Sequence, residues 1–326
     1  MSAAEREFIR AERPWGFILF KRNIDAPAQV TSLVRELRAT INDPDAPVLI
    51  DQEGGRVQRF GPPNWPVYPA GAVFGTLYDI DSALGLEAAR LSARLIADDL
   101  IQLGVTVDCL PLADVPIEGA DAVIGNRAYG TEPAKVAAIG RAVTQGLEQG
   151  GVLPVLKHIP GHGRATADTH FRLPEVDTPE KELERTDFAA FQPLADLPMA
   201  MTAHVVFSAL DPTQPATTSA TIIREVIRGV IGFQGLLMSD DVSMNALAGS
   251  LAERTQAIVG AGCDMVLYCN GKFDEMREVA RETPELSGKA LQRAQQALAS
   301  RKAPLAFDRA GARAELEALM ARTAGA

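Results

Sequence analysis

The sequence VLPVLKHIPGHG, residues 152–163, shows how this chain is built. Its apolar start has the length of a fully buried β-strand. The run ends abruptly at Lys157 and His158, and a glycine-rich loop follows. A lysine at the tip of an apolar strand is costly to bury and is seldom placed there for packing alone. The stretch therefore predicts a buried strand that presents polar groups at its C-terminal end.

The same unit recurs along the chain. Longer stretches with helical spacing of apolar residues separate the apolar runs, and the chain is predicted to be helical from about residue 275 to its end. A long loop rich in Gly and Pro is expected at residues 53–75. Alternation of strands and helices predicts a parallel sheet covered by helices. The strand candidates are residues 16–20, 47–51, 105–109, 152–157, 199–206, 235–239 and 264–268.

Polar residues follow several different strands, and this favours a barrel over an open sheet. In a barrel the C-terminal ends of all strands meet at one mouth, whereas an open sheet spreads them along an edge. No linker or composition break divides the 326 residues, a length that such barrels commonly occupy as one domain. The sequence therefore predicts the α/β fold class, a (β/α)8 TIM-type barrel, as a single domain over residues 1–326 with a C-terminal helical segment at about 275–326.

The charge balance and the cysteine content narrow the class of protein. The formal net charge is −10 and the pI is about 5.0, which argues against binding to nucleic acid or to an anionic membrane. Three cysteines without framework-like spacing are expected to be reduced thiols in a cytosolic protein. Neither a signal peptide nor an apolar run of membrane-spanning length is recognisable. We therefore expect a cytoplasmic protein, a monomer, with no nucleic-acid or membrane partner.

Two of the polar strand ends are ambiguous on their own. Residues 51–59 read DQEGGRVQR, in which Asp51 and Arg59 can offer an acceptor and a cation to a sugar. A glycine turn with surface charges explains the same residues equally well. Arg127 lies in the loop IGNRAYG at 124–130 and is not on the face of a predicted helix, so a ligand contact would explain an arginine there. A lone loop arginine is nevertheless more often a surface residue.

The segment after Lys157 holds three of the four histidines. Asp168 and His170 lie two residues apart, where a carboxylate can orient an imidazole and raise its basicity. The competing interpretation is a metal site made from His158, His162 and either Asp168 or His170. No HExxH-like helical spacing is present and Lys157 would repel a cation, so the sequence disfavours a metal.

The sequence MSDDVSM at 238–244 places two consecutive carboxylates at a strand end. Either Asp240 or Asp241 could cap a following helix, which is the ordinary explanation for such residues. A carboxylate at this edge of the sheet could also act in catalysis. The residues alone leave both interpretations open.

Seven runs occur in order at the spacing of barrel units: ILFKRN, IDQEGGRVQR, VIGNRAYG, KHIPGHGRATADTH, AHVVFSALDP, GFQGLLMSDDVSM and AGCDMVLYCN. Together they resemble the family 3 glycoside hydrolases, in particular the single-domain β-N-acetylglucosaminidases (β-N-acetylhexosaminidases) of the cell-wall-recycling NagZ type. The resemblance covers roughly residues 1–270, and KHxPGHG followed by Asp-Ser-His or Asp-Thr-His is typical of this subgroup. The β-glucosidase members instead carry a Glu acid on a second domain, which is not expected here.

The resemblance implies retaining hydrolysis of terminal β-N-acetylglucosamine from muropeptides, such as those with 1,6-anhydro-N-acetylmuramic acid. It implies that Asp240 is the nucleophile and that His170 is the general acid and base, oriented by Asp168. A carboxylate and a separate proton donor are what retaining hydrolysis requires. No metal, nucleotide or flavin cofactor is expected, and the expected partner is a small carbohydrate. The side chains that would hold the sugar ring are Asp51, Arg59, Arg127, Lys157 and His158.

Three other functions compete with this one. A metal-dependent hydrolase on the same barrel would use the clustered histidines. A sugar-binding protein without catalysis would need the same pocket but no nucleophile. A phosphorylase is a further alternative, because a neutral or cationic histidine tolerates attack by phosphate better than a carboxylate does.

The N-terminal part and the loop at 161–170 carry two structural expectations. Members of this family begin with a strand that carries an Asp and a Gly before the stretch that matches residues 2–5. Only seven strand candidates are recognisable here, so we expect a truncated start or an incomplete barrel, with a missing or irregular first strand and no eighth strand from residues 1–15. The loop is rich in Gly, Ala and Thr, and is expected to move and to close over bound substrate.

Overall fold

The computed structural model describes residues 1–166, 169 and 173–322. These residues form two compact units. The first unit comprises residues 1–110, 142–154 and the chain from residue 300 onward, and the second comprises residues 111–141 and 155–299. The assignment of residues 1–326 to a single domain stays a prediction.

The chain alternates strands and helices, as predicted. The strands are β1 (Phe17–Leu19), β2 (Val48–Ile50), β3 (Gln52–Gly54), β4 (Val57–Gln58), β5 (Val107–Asp108), β6 (Leu153–Ile159), β7 (Glu175–Val176), β8 (Met199–Thr202), β9 (Val206–Phe207), β10 (Leu236–Asp241) and β11 (Met265–Leu267). The α-helices are α1 (Ala3–Glu12), α2 (Pro27–Ile41), α3 (Gly71–Ile80), α4 (Ser82–Ile101), α5 (Pro133–Gln149), α6 (Glu180–Arg185), α7 (Asp187–Phe191), α8 (Leu251–Ala261), α9 (Phe273–Glu282), α10 (Gly288–Ala299) and α11 (Arg309–Ala321). Further helical segments are the π-helix Ile222–Val230 and the 3₁₀ turns Lys21–Asn23, Gly125–Arg127, Gln192–Leu194 and Ala216–Thr218.

The strands β1, β2, β5, β6, β8, β10 and β11 pair in parallel and follow one another in sequence order. In the first unit, β1, β2 and β5 are parallel neighbours, and Leu153 and Pro154 at the start of β6 pair with β5. In the second unit, the rest of β6 pairs with β8, β8 with β10, and β10 with β11. The order β1-β2-β5-β6-β8-β10-β11, with helices between successive strands, is that of an α/β barrel, so the predicted fold class and all seven strand candidates are confirmed.

The N-terminal residues form a helix and not a strand. The hydroxyl of Ser2 accepts the amide of Glu5, and the Glu5 carboxylate accepts the amide of Ser2, which is a capping box that starts α1. Arg13 ends the helix in the left-handed conformation, at a φ of 46°. Residues 1–16 are all described and contain no strand, so the expectation that this stretch supplies no eighth strand is confirmed.

Residues 53–75 contain more secondary structure than predicted. Strands β3 and β4 form a short antiparallel hairpin, and α3 begins at Gly71, so the expectation of a loop to residue 75 was wrong. The fully buried side chain of Gln52 explains the order: it accepts the amides of Arg59 and Phe60 and donates to the Phe60 carbonyl. One buried amide group thus satisfies backbone groups that a longer strand ladder would otherwise satisfy.

The parallel strands also carry the cores of the two units. Ile50 and Val107 in the first unit, and Leu156 and Leu236 in the second, are fully buried. Burying a side chain of this size contributes about 1.5–3 kcal/mol relative to exposure. Within the described ranges, no helix combines the length and the apolar character needed to cross a membrane. The buried strands therefore hold the polar residues at their C-terminal ends in fixed positions.

Candidate active site

Strand β6 delivers Lys157 and His158 to its C-terminal end. All seven residues of the strand are buried, and these two polar residues are 1% and 6% exposed. The chain at 111–113 runs beside them: the Lys157 amide donates to the Pro111 carbonyl at 3.0 Å, and the Ala113 amide donates to the Lys157 carbonyl at 2.7 Å. This pairing brings the next residue, Asp114, to His158.

Asp114 is a site residue that the sequence analysis missed. Its fully buried carboxylate lies 2.7 Å from His158 Nδ1 and accepts the amides of His158 at 3.3 Å and His162 at 2.7 Å. Burial alone would raise the pKa of Asp114, but its interactions with His158 and His162 lower the pKa to about 2. Asp114 is therefore a carboxylate near neutral pH. No local motif marks it, because it lies 44 residues before His158 in the chain.

His162 packs edge-on against His158, with the ring centroids 5.6 Å apart. Burial lowers the pKa of His162 to about 4, and His158 acts in the same direction. The His162 imidazole is therefore neutral near neutral pH. Gly163 lets the chain pass here, because a Cβ at this position would lie 2.1 Å from the Val115 carbonyl oxygen.

Strand β10 ends in the two adjacent carboxylates. Asp240 is half-buried, and its Oδ1 accepts the amide of Asp241 at 2.8 Å. Burial would raise the pKa of Asp240, but His204 and His158 outweigh it. The Asp241 amide and Lys157 contribute in the same direction, so the pKa lies below its ordinary value. Asp240 is therefore ionised at neutral pH, in surroundings that favour negative charge.

Asp241 holds the backbone that follows the strand. Its Oδ1 accepts the amides of Ser243 at 3.0 Å and Cys269 at 3.1 Å, and its Oδ2 accepts the Ser243 hydroxyl at 2.6 Å. Burial raises the pKa of Asp241. Asp241 therefore has a structural role, but it holds a turn and does not cap a helix, because α8 begins at Leu251 with Ser250 as its cap. Asp240 is left as the candidate for chemistry.

His204, just after β8, ties that strand to the end of β10. Its imidazole is fully buried, with Nε2 3.0 Å from the Asp241 carbonyl oxygen and Nδ1 2.8 Å from Thr217 Oγ1. A carbonyl oxygen only accepts hydrogen bonds, so Nε2 carries a proton. Burial lowers the pKa of His204, and Asp240 opposes that shift only in part. His204 therefore fixes the backbone next to Asp240, a role that the sequence analysis did not predict.

Arg127 belongs to the same unit and lies in the 3₁₀ turn Gly125–Arg127. The side chain is half-buried, and its Nη1 donates to the Val123 carbonyl at 3.1 Å. Among the predicted site residues that the structure describes, four are thus in the second unit: Arg127, Lys157, His158 and Asp240.

Asp51 and Arg59 belong to the first unit and pair with each other. Arg59 Nη2 donates to Asp51 Oδ2 at 2.9 Å, and both side chains are partly exposed. The Arg59 guanidinium also lies 5.1 Å from the centre of the Phe20 ring. Beside it is a cavity of about 250 Å³, whose lining includes Lys21, Arg59 and Trp65. The polar residues that follow β2 therefore include an ion pair, Asp51 with Arg59, at the wall of this cavity.

Comparison with known proteins identifies the family. Residues 1–300 match the family described as Glycosyl hydrolase family 3 N terminal domain. This chain belongs to glycosyl hydrolase family 3. It is 39% identical over 274 residues to a "Beta-hexosaminidase" of Alkalilimnicola ehrlichii, over 83% of this chain and 78% of that protein. The family predicted from the sequence is confirmed, and the chain is a glycoside hydrolase.

Solved structures agree with this assignment. NagZ from Neisseria gonorrhoeae, in complex with N-trifluoroacetyl-D-glucosamine, is 32% identical to this family 3 chain, with a TM-score of 0.84 over 100% of this chain and 94% of that one. A glycoside hydrolase family 3 β-N-acetylglucosaminidase from Paenibacillus sp. is 28% identical, with a TM-score of 0.86 over 98% of this chain. This chain covers 64% of the Paenibacillus chain, which is less than two thirds of its length.

Two of the predicted catalytic residues of this family 3 chain, Asp168 and His170, lie outside the described residues. Thr169 between them is 2% exposed, and its carbonyl accepts the amide of Ala246 at 3.1 Å. On the N-terminal side, Arg164 Nε donates to the buried carboxylate of Asp187 at 2.6 Å. Both contacts lie within the second unit. The closing motion of the loop stays a prediction.

Proposed function

We propose that this family 3 enzyme is a retaining exo-β-N-acetylglucosaminidase that removes terminal non-reducing N-acetylglucosamine from muropeptides in cell-wall recycling, and that it acts in the cytoplasm. The state of Asp240 carries the proposal: a half-buried carboxylate at the end of β10 whose pKa is lowered by two histidines and a lysine despite burial. Such a group can attack an anomeric carbon and stabilise the positive charge that develops there.

The proposed reaction has two steps. In the first, Asp240 attacks the anomeric carbon while His170 donates a proton to the leaving oxygen, and a glycosyl-enzyme forms. In the second, His170 accepts a proton from water as that water attacks the same carbon and releases Asp240. Two inversions give net retention. Asp168 would orient His170 and stabilise its protonated form.

The proposed sugar-binding residues supply both hydrogen-bond donors and hydrogen-bond acceptors. Lys157 and His158 are buried, so water competes little for their hydrogen bonds, and both also favour the ionised form of Asp240. Arg127 is a donor from the loop after β5, and Asp51 and Arg59 complete the proposed set. The named activity of the relatives, and the N-acylated glucosamine bound to the Neisseria gonorrhoeae protein, support N-acetylglucosamine as the sugar.

Turnover of an aryl β-N-acetylglucosaminide, compared with the matching β-glucoside, tests the proposal. We expect a strong preference for the N-acetyl sugar and a rate that does not depend on added phosphate. Proton NMR should show the β-anomer as the first product. Preference for the glucoside, first release of the α-anomer, or a sugar phosphate as product would each contradict the proposal.

A further inference from the structure

Three hydrogen-bond donors converge on the buried carboxylate of Asp114. Its Oδ2 lies 2.7 Å from His158 Nδ1, and its Oδ1 accepts the amides of His158 and His162. The side chain is 0% exposed, and its place is set by the backbone pairing of residues 111–113 with Lys157. We propose that Asp114 is a positioning residue of the sugar site, which fixes the proton on Nδ1 of His158 and so makes Nε2 the atom that meets the ligand.

The chemistry of the pair assigns the two ring nitrogens. An ionised carboxylate only accepts hydrogen bonds, so the His158 nitrogen that faces it must carry a proton. A pKa of about 2 keeps Asp114 ionised well below neutral pH. In the neutral imidazole, a proton on Nδ1 leaves a lone pair on Nε2.

A lone pair on Nε2 defines the ligand group that His158 can recognise. It accepts a hydrogen bond from a hydroxyl group, whereas Lys157 and Arg127 can only donate. Asp114 therefore gives the site an acceptor for a sugar hydroxyl beside its donors. This inference rests on the proposed function in one respect, namely that His158 contacts the sugar.

A neutral amide cannot replace this carboxylate. Asn offers one acceptor oxygen and an NH₂ group, whereas His158 and His162 present three N–H donors to Asp114. In Asp114→Asn at least one of these donors loses its acceptor. His158 can then turn, or its proton can move to Nε2, and the ligand meets a donor in place of an acceptor.

Nitrogen-15 NMR of histidine-labelled wild-type enzyme tests the assignment directly, with His158→Gln used to identify the His158 signals. At about pH 8.5 we expect a protonated Nδ1 and an unprotonated Nε2 in His158. Added N-acetylglucosamine should shift the Nε2 signal more than the Nδ1 signal. A proton on Nε2 in the free wild-type enzyme, or a ligand shift confined to Nδ1, would overturn the proposal.

Two variants then separate positioning from folding. Asp264 is a matched control, because its buried carboxylate also accepts three hydrogen bonds, from Arg228, Arg293 and the Leu237 amide. Asp114→Asn should move the His158 signals toward the Nε2-protonated pattern. It should also lower kcat/KM about 10- to 100-fold, mainly through KM, which is the range found when the carboxylate behind a metal-bound histidine is removed. Asp264→Asn should lower the melting temperature but leave the His158 signals in place.

The outcomes distinguish this proposal from the proposed function. An unchanged His158 pattern in Asp114→Asn, or an equal change in Asp264→Asn, would refute the role of Asp114 even in an active N-acetylglucosaminidase. A wild-type enzyme that shows the expected tautomer but hydrolyses no N-acetylglucosaminide would contradict the proposed function and leave the assignment of His158 standing. The wild-type spectrum decides the matter if Asp114→Asn does not fold.

Discussion

The ends of β6 and β10 both carry two ionisable side chains, but they are held in different ways. At β10, Asp241 binds the amide and hydroxyl of Ser243, two residues further on. At β6, His158 and His162 are both held by Asp114, which lies 44 and 48 residues earlier in the chain. One end is therefore built mainly from its own turn, and the other depends on a segment that a different part of the chain supplies.

The electrostatic settings of the two ends also differ. At β10 the neighbouring histidines overcome burial and keep Asp240 ionised. At β6 burial lowers the pKa of His162 more than Asp114 raises it, so His162 is neutral near neutral pH. We therefore expect changes at β10 to act mainly on the chemical step, and changes at β6 to act on stability as well.

The largest effect is expected for Asp240. Asp240→Asn removes the proposed nucleophile but keeps the size of the side chain, so kcat should fall roughly 10⁴-fold, equivalent to about 5–6 kcal/mol of barrier, with little change in melting temperature. Mass spectrometry with a slow fluoro-sugar should find the label on Asp240 in the wild-type enzyme. Near-normal activity of Asp240→Asn would mean that another residue is the nucleophile. Asp240 and Asp241 would then no longer differ in function.

The next effect concerns His170 and depends on the leaving group. General acid catalysis typically contributes about 10²- to 10⁴-fold, and a good leaving group needs less of it. His170→Ala should therefore lose much more activity on natural disaccharides than on substrates with acidic aryl leaving groups. Asp168→Asn should show a milder form of the same bias. Equal losses on both substrate classes would mean that another residue donates the proton.

The third effect is a pH dependence of stability at the end of β6. The pKa of His162 is about 4 in the folded protein against an ordinary 6.5, so between these values the unfolded chain binds more protons. The free energy of unfolding should therefore rise by about 3 kcal/mol as the pH increases from 4 to 6.5. The stability that the neutral His162 contributes should be fully present above pH 6.5. His204, whose pKa is also lowered, adds to the same slope.

His162→Gln isolates the contribution of His162. Chemical denaturation at several pH values should give a smaller slope for this variant between pH 4 and 6.5, with the part due to His204 retained. Asp114 does not interfere, because its pKa is lowered from 3.8 to about 2, and the stability it contributes is lost only as the pH falls through that lower window. An unchanged slope in His162→Gln would show that burial does not keep this histidine neutral.

The contrast between the two strand ends also explains what the sequence could predict. Apolar runs that end in polar residues are local patterns, and they placed Lys157, His158 and Asp240 at strand ends. Asp114 carries no such signal, because its role depends on the backbone pairing of residues 111–113 with Lys157, which is distant in the sequence. The order at 53–75 was missed for a similar reason, since one buried side chain, that of Gln52, satisfies the backbone there.

The smallest predicted effect tests whether the contact of His204 with the end of β10 matters for catalysis. His204 reaches that backbone from β8, and the Thr217 hydroxyl orients its imidazole at 2.8 Å. Thr217→Val keeps the shape but leaves a buried nitrogen without this partner, so we expect a loss of about 1–3 kcal/mol of stability. If His204 positions the peptide next to Asp240, kcat should also fall about fivefold, which corresponds to about 1 kcal/mol.

Thr202→Val is the matched control, because the Thr202 hydroxyl contacts Thr217 at 2.8 Å within the same buried cluster. It should lower the melting temperature but leave kcat close to that of the wild-type enzyme, since His204 keeps its contact with Thr217. Denaturation and single-turnover kinetics of both variants separate stability from positioning. If Thr217→Val loses stability but keeps the full kcat, then the contacts of Asp241 with Ser243 and Cys269 suffice to hold the backbone at Asp240. A fall in kcat confined to Thr217→Val would mean instead that both strand ends depend on a distant segment, and that they differ only in how strongly.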